Sequence, residues 1–243
     1  GEVIQAVYEY VCHGGVLQRD ECRLLIGLGR AVCSVWDQPD NGIWEVRGQL
    51  RHYTYSKFMC WLALDRLVRL SKRGVLPVPA HFEQVRRAIG ETLEARGYSE
   101  RHQSYTAVLD GDEVDVSLLL MAVYGYGKAT DARLQNTCRR IERELARDEL
   151  VYRYRPTVDG LPGHEGTFTI GSFWMVDYLA RAGRHDDAVA RFEALLARAN
   201  DVGLYSEQFD ADTGAALGNF PQGFSHVGLI AAALTLENTR RRR

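Results

Sequence analysis

The sequence predicts an all-α fold, a closed or partly closed toroid of helical hairpins, and two observations carry that expectation. Apolar residues recur at helical spacing in nine separate stretches, each ended by glycine, proline or a polar cluster. The connections between those stretches alternate short and long along the chain. In a series of antiparallel helix pairs every second connection emerges at the same end. All four long loops should therefore share one rim, with the short turns closing the other. No tight period marks a named short helical repeat, so a toroid is preferred to an open solenoid.

In chain order, Val3, Ile4, Val7, Tyr8 and Val11 set the first helix, which stops at Gly14-Gly15. A second runs from about Asp20, with Leu24, Leu25, Leu28, Val32 and Trp36 on one face, and ends before Pro39. The first long loop covers roughly residues 37 to 53. The third helix runs from Thr54 to about Arg73 on Phe58, Met59, Leu62, Leu67 and Leu70. Pro77 and Pro79 break the chain, and Phe82, Val85, Ile89 and Leu93 carry a fourth helix to Gly97. The second long connection, 97 to 112, has a strand-like run at 104 to 109.

A fifth helix is expected from about Glu113 to Val123, a short turn at Tyr124–Lys128, and a sixth helix over 130 to 147. The third long loop, with Pro156 and Pro162, leads to a seventh helix near Thr167 that carries Phe173, Trp174, Val176 and Leu179. Only four residues separate it from the eighth, with Ala188, Phe192, Leu195 and Leu196. The fourth long loop spans about 200 to 220. The ninth helix holds Val227, Leu229, Ile230 and Leu234, and Arg240–Arg243 form a solvated charged tail. Trp61 and Trp174, at helical spacing, read as core.

Composition narrows the function. At 243 residues and 46% hydrophobic content the chain can bury a sizeable core as one domain. The net charge is only −2, so no global field selects nucleic acid or an anionic membrane, and a neutral substrate fits better. No apolar run of membrane-spanning length and no leader-like start is encoded. Five cysteines (Cys12, Cys22, Cys33, Cys60, Cys138) make no C-x-x-C pair and are odd in number, which reads as buried thiols in a reducing, cytoplasmic compartment. The seven histidines have no metal-ligand spacing, so neither metal nor cofactor is expected. His226, next to Ser225, does not face it on a helix, and a Ser-His hydrolase pair is set aside.

The chemistry should lie on the long-loop rim. The first loop offers Glu45 beside Trp44 and Arg47, the third Arg153 and Glu165, the fourth Glu207 with Tyr205 and Gln208. Taken singly, a loop glutamate is usually a solvated acid and a loop arginine its salt-bridge partner. Acids converging from three loops suggest more. Two carboxylates across a cleft serve glycoside hydrolysis, one donating a proton to the leaving oxygen and the other activating water or attacking carbon. An indole wall such as Trp44 would desolvate the acid, and the faces of Trp44 and Tyr205 would pack against sugar C–H surfaces.

Gly42-Ile-Trp-Glu45-Val-Arg-Gly48 with Thr54-Tyr-Ser-Lys57, then Glu165-Gly-Thr-Phe168, Ser206-Glu207-Gln208 and Leu217-Gly-Asn-Phe-Pro-Gln222, closely resemble the catalytic region of glycoside hydrolase family 15, in its bacterial glucoamylase and trehalase-like branch. These motifs extend in order over almost the whole chain. The resemblance implies an (α/α)6 barrel of six helical hairpins, here incomplete with about nine of twelve helices. Residues 1–243 would be the carboxy-terminal part of the catalytic domain, without the first helices and the amino-terminal β-sandwich.

It further implies an inverting, exo-acting glucosidase of the glucoamylase type, with Glu45 as general acid and Glu207 as general base. Inversion needs a carboxyl separation of roughly 6.5–9.5 Å. Arg153 resembles the family's sugar-binding arginine, while Val46 stands where fungal members carry a second glutamate. A small oligosaccharide or disaccharide would be the substrate. A trehalase of the same family is the nearest alternative. An inactive helical fragment or sugar-binding scaffold is a third reading, because the absent helices would bring an Arg-Asp clamp for the terminal glucose. On that account the isolated chain should have little activity and expose an apolar seam.

Overall fold

The computed structural model describes residues 1–155 and 165–241; Pro156, Pro162, His164, Arg242 and Arg243 fall outside them. The described residues form nine α-helices and seven two-residue strands. They divide into two compact units, one of residues 1–98 and 108–111, the other of 99–107 and 112–241.

The first unit is built on α3 (Thr54–Lys72). Its apolar residues are not confined to one stripe, and a helix apolar on most sides is one that packs on most sides. Phe58, Leu62, Leu64, Leu67 and Leu70 are all fully buried. Around it lie α1 (Glu2–Cys12), α2 (Arg19–Val35) and α4 (His81–Thr92). The α2 helix opens on a capping box in which Gln18 and Glu21 exchange side-chain and backbone bonds. It seats on its neighbours through Leu25 and Gly29, while Leu24 is exposed. A β-carbon at Gly29 would lie 2.4 Å from the Phe82 ring and 2.7 Å from Leu67, so only glycine lets the backbone approach this closely. Asp65 on α3 pairs with Arg66 at 2.5 Å, both buried, and also receives the exposed Arg69 at 2.7 Å.

The second unit is organised in the same way on α7 (Thr169–Arg181), buried at Phe173, Met175, Val176 and Leu179. It packs against α8 (His185–Leu196) and α9 (Gly223–Arg240). Gly228 permits the last contact, since a β-carbon there would stand 3.0 Å from Ile170 and 3.1 Å from Phe173. The α6 helix (Ala132–Leu145) buries Leu134, Cys138 and Ile141. The outer side of α9 leaves Phe224, Val227, Ile230 and Leu234 exposed.

The expected fifth helix is shorter than its apolar pattern. Asp115 is extended (φ −139°) and its side chain accepts from Ser117 N at 2.7 Å, so the helical turn starts only at Val116. A 3₁₀ turn, Val116–Leu119, runs into α5 (Leu120–Val123). The strand-like run at 104–109 reduces to β2 (Ser104–Tyr105), preceded by β1 (Tyr98–Ser99). Sulfur burial also differs from expectation. Among the five free cysteines only Cys138 is buried, with its thiol pushed up by desolvation, and Cys12, Cys22, Cys33 and Cys60 are partly exposed. Of the two tryptophans read as core, Trp61 is buried and Trp174 is half-exposed.

Within each unit the long loops meet in pairs. In the first, Tyr53 bridges Val108 and Leu109 N donates to His52 O at 2.9 Å, which joins the first and second long connections. In the second, β3 (Ala146–Arg147) pairs with β4 (Leu150–Val151), and a separate three-stranded sheet forms from β5 (Thr167–Phe168), β6 (Gln208–Phe209) and β7 (Ala216–Leu217). Antiparallel pairing of Thr167 with Phe209 and of Phe168 with Gln208 joins the third and fourth loops. It also explains why α7 begins at Thr169, two residues later than its sequence pattern suggests.

Candidate active site

The Glu45 loop is closed at its base by a two-way backbone pairing, Asp40 N to Arg51 O at 2.8 Å and Arg51 N to Asp40 O at 2.9 Å. Inside it, Gly42 takes φ +71° over the Tyr53 ring, where a β-carbon would sit 2.9 Å from the aromatic carbons. Glu45 N donates to Gly42 O at 3.3 Å and Val46 N to Asn41 O at 3.1 Å. Glu45 itself is in the left-handed region, φ +51°, which an L-residue adopts only where its surroundings enforce it. Its side chain is exposed, and among the described residues it accepts no side-chain hydrogen bond. Trp44 beside it is half-buried and Arg47 is exposed.

Asp40 is the internal anchor of this loop. Its Oδ1 accepts from Gly42 N at 2.7 Å and from the Ser56 hydroxyl at 2.6 Å, and its Oδ2 lies 3.7 Å from Lys57 Nζ. Lys57, on the first turn of α3, is 3% exposed and also donates to the carbonyl of Gln38. Lys57 closes the Thr54–Lys57 motif, but neither it nor Asp40 carries a chemical signal that the sequence alone reveals.

In the second unit Glu207 lies just before β6. Its carbonyl accepts from Thr169 N at 3.0 Å and its own N–H donates to Asn219 O at 2.9 Å. The carboxylate is half-exposed, and its Oε2 accepts twice from Asn219, from Nδ2 at 2.7 Å and from the backbone N at 3.0 Å. Gly218 (φ +72°) makes that return possible, since a β-carbon on it would stand 2.9 Å from the Glu207 Cβ. Asn219 is a residue that sequence reasoning missed, although it sits inside the quoted Leu217–Gln222 segment. The segment ahead of Glu207 is fixed from α9. The Ser225 hydroxyl lies 2.9 Å from Ser206 O, and His226 Nε2 accepts from Tyr205 N at 3.4 Å while Nδ1 bonds Gln222 O at 2.7 Å. Ser225 and His226 thus hold backbone and not each other.

Arg153 and Glu165 come together, with Arg153 Nε donating to Glu165 Oε1 at 2.8 Å. The guanidinium also lies over the rings of Tyr154 (5.3 Å) and Phe168 (5.2 Å). Gln208 is half-buried on β6, and Gly166 gives it room, a β-carbon there meeting Gln208 Cβ at 2.9 Å. Tyr205 requires a correction. It is 1% exposed, its ring meets Phe173 and His226 edge-on at 5.6 and 5.7 Å, and its hydroxyl donates to Leu195 O at 3.1 Å. An aromatic whose hydroxyl satisfies a helix carboxyl end is structural, and it offers no face to a sugar. Among the described residues no group of histidine, cysteine and acid side chains could hold a metal ion, and no helix is long and apolar enough to cross a membrane.

Residues 1–234 match the family model described as glycosyl hydrolases family 15. The chain belongs to that family. Among family relatives, a trehalase of Mycolicibacterium smegmatis is 44% identical over 205 residues, covering 82% of this chain and 30% of that protein. A trehalase of Thermoplasma acidophilum is 33% identical over 238 residues, covering 98% of this chain and 41% of its own length. The chain therefore spans well under half of these relatives. The structure of a bacterial glucoamylase complexed with acarbose matches with a TM-score of 0.77 and 17% identity, over 98% of this chain and 40% of that one. At that identity the likeness shows fold alone: all-α, of the family's (α/α)6 type, of which this chain carries part.

Proposed function

We propose that this chain supplies the two catalytic carboxylates of an inverting α,α-trehalase, Glu45 as general acid and Glu207 as general base. The name shared by the curated relatives at 44% and 33% identity carries the substrate assignment and moves it from glucoamylase to trehalase. The local chemistry supports the division of roles. Glu207 has one oxygen engaged by two N–H donors, which leaves Oε1 to take a proton from water. Glu45 has no donor on its carboxylate among the described residues, so its oxygens can carry the proton that the departing sugar oxygen needs.

In that reaction Glu45 protonates the glycosidic oxygen as the C1–O bond breaks. Water attacks C1 from the opposite face and gives its proton to Glu207. Arg153, paired with Glu165, would bond sugar hydroxyls through its remaining N–H groups, and Trp44, Arg47 and Gln208 would line the sugar sites. Sugar release from trehalose, maltooligosaccharides and isomaltose by the gene product carrying this chain tests the reading. Trehalose should be hydrolysed fastest, to one α- and one β-glucose. Glu45→Gln and Glu207→Gln should each lower kcat by about 10²–10⁴-fold. Activity equal to wild type in either variant removes that residue from the mechanism, and preference for maltooligosaccharides restores the glucoamylase reading.

A further inference from the structure

We propose that Asp40, backed by Lys57 and Ser56, is the positioning residue of the proton donor. The inference deepens the reading of Glu45 as general acid and rests on it. A continuous path of contacts carries it. The Lys57 ammonium stands 3.7 Å from Asp40 Oδ2, Asp40 Oδ1 holds Gly42 N at 2.7 Å, and Gly42 O receives Glu45 N at 3.3 Å. The Ser56 hydroxyl, 2.6 Å from Asp40 Oδ1, fixes the carboxylate from the side of α3. Every link is in one unit, so the loop is referenced to the most buried helix of that unit.

Two features show that the path constrains Glu45 and does more than close a loop. Glu45 holds φ +51°, a left-handed conformation that is unfavourable for an L-residue and would relax if its neighbours released it. Relaxation to the right-handed or extended region would swing the Cα–Cβ bond and carry the carboxyl away. The loop base is already closed by the reciprocal Asp40–Arg51 backbone bonds, which need no side chain. The buried ammonium of Lys57 therefore serves the loop interior. Taking it out of water is unfavourable, and the Asp40 carboxylate and the Gln38 carbonyl offset that cost. Among the described residues, removing Asp40 would leave that ammonium with the Gln38 carbonyl and take from Gly42 N its side-chain acceptor.

A substrate that needs no proton on its leaving group separates positioning of the acid from general damage. In α-glucosyl fluoride the C1–F bond breaks with its electron pair leaving on fluoride, water bonds C1, and the water proton goes to Glu207; Glu45 contributes little. The experiment compares kcat on trehalose and on α-glucosyl fluoride for Asp40→Ala, Lys57→Met, Ser56→Ala and Glu45→Gln in the gene product carrying this chain. Ser56→Ala deletes a single hydroxyl and keeps the test open if the larger changes do not fold.

Displacement of the acid by about 1 Å should lower trehalose kcat about 10²-fold in Asp40→Ala and Lys57→Met, and less in Ser56→Ala. The fluoride rate and the KM for trehalose should change little. Equal losses on both substrates, or no loss on either, would overturn the proposal. If Glu45→Gln itself shows no difference between the two substrates, the assignment of Glu45 fails. If Glu45→Gln shows the difference and the Asp40 and Lys57 variants do not, only the positioning role is lost.

Discussion

Asn219→Ala tests how the second carboxylate is held. Two donors converge on Glu207 Oε2, the Asn219 amide nitrogen at 2.7 Å and its backbone nitrogen at 3.0 Å, and the substitution removes only the first. A hydrogen bond to a charged acceptor contributes about 1.5–3 kcal/mol when shielded from water. Asn219 is exposed, so a value near 1.4 kcal/mol is the better expectation, about tenfold in kcat. The backbone donor persists and the Asn219 carbonyl still accepts from Glu207 N, so the strand should keep its place. Steady-state kinetics on trehalose should show the loss in kcat with KM little changed. Asn219→Asp, which sets a second carboxylate oxygen against Oε2, should lose more. A kcat for Asn219→Ala within twofold of wild type, or a loss confined to KM, would show that the amide does not orient the proposed base.

The packing makes two further predictions. Tyr205→Phe leaves the ring in place and removes the bond to Leu195 O, so stability should fall by about 1 kcal/mol in urea melts with kcat on trehalose unchanged; a kcat loss above threefold would return Tyr205 to the sugar site. Glu83 is pushed down to about 2 from an ordinary 4.5, first by its bond to Arg86, with burial opposing. A depressed carboxyl contributes stability that is present above about pH 4.5 and lost as pH falls from there towards 2. Glu83→Gln should thus lower stability at pH 7 and converge on wild type near pH 2, and a difference constant with pH would exclude this source.

The helices were legible because their signal is local: the apolar spacing and its breakers lie within a few residues of one another. Legibility failed where a side chain answered a distant group or overrode the pattern. The Val114–Val123 run is apolar enough for a long helix, yet Asp115 binds Ser117 N and delays the turn. Strands of two residues hold no alternation to read, so the β6–β7 hairpin passed for loop, although Asp210 accepts from the backbone of Asp212 and Thr213 in a turn before Gly214. Tyr205 stood next to an acid in a loop, and only the three-dimensional approach of Leu195, Phe173 and His226 shows that it is core. The partners Asp40–Lys57 and Glu207–Asn219 lie within or beside the resemblance motifs, but which side chain meets which depends on two turns with positive-φ glycines, Gly42 and Gly218.

Those two turns give the candidate carboxylates opposite local chemistry on the same principle. Each glycine folds the backbone back towards an acid: at Gly218 the return brings Asn219 N and Nδ2 onto the carboxylate of Glu207, and at Gly42 it brings a carbonyl onto the backbone of Glu45 and leaves the side chain alone. A base must keep a lone pair aimed at water, and fixing one oxygen with donors orients the other. An acid must hold a proton and then release it to a leaving oxygen, and a donor on its carboxylate would compete with that proton for the same lone pair. For the acid, the backbone is the part that can be fixed without interference. In the proposed assignment the Asp40–Gly42–Glu45 path would position Glu45 through the loop, whereas Asn219 would position Glu207 at the carboxylate itself.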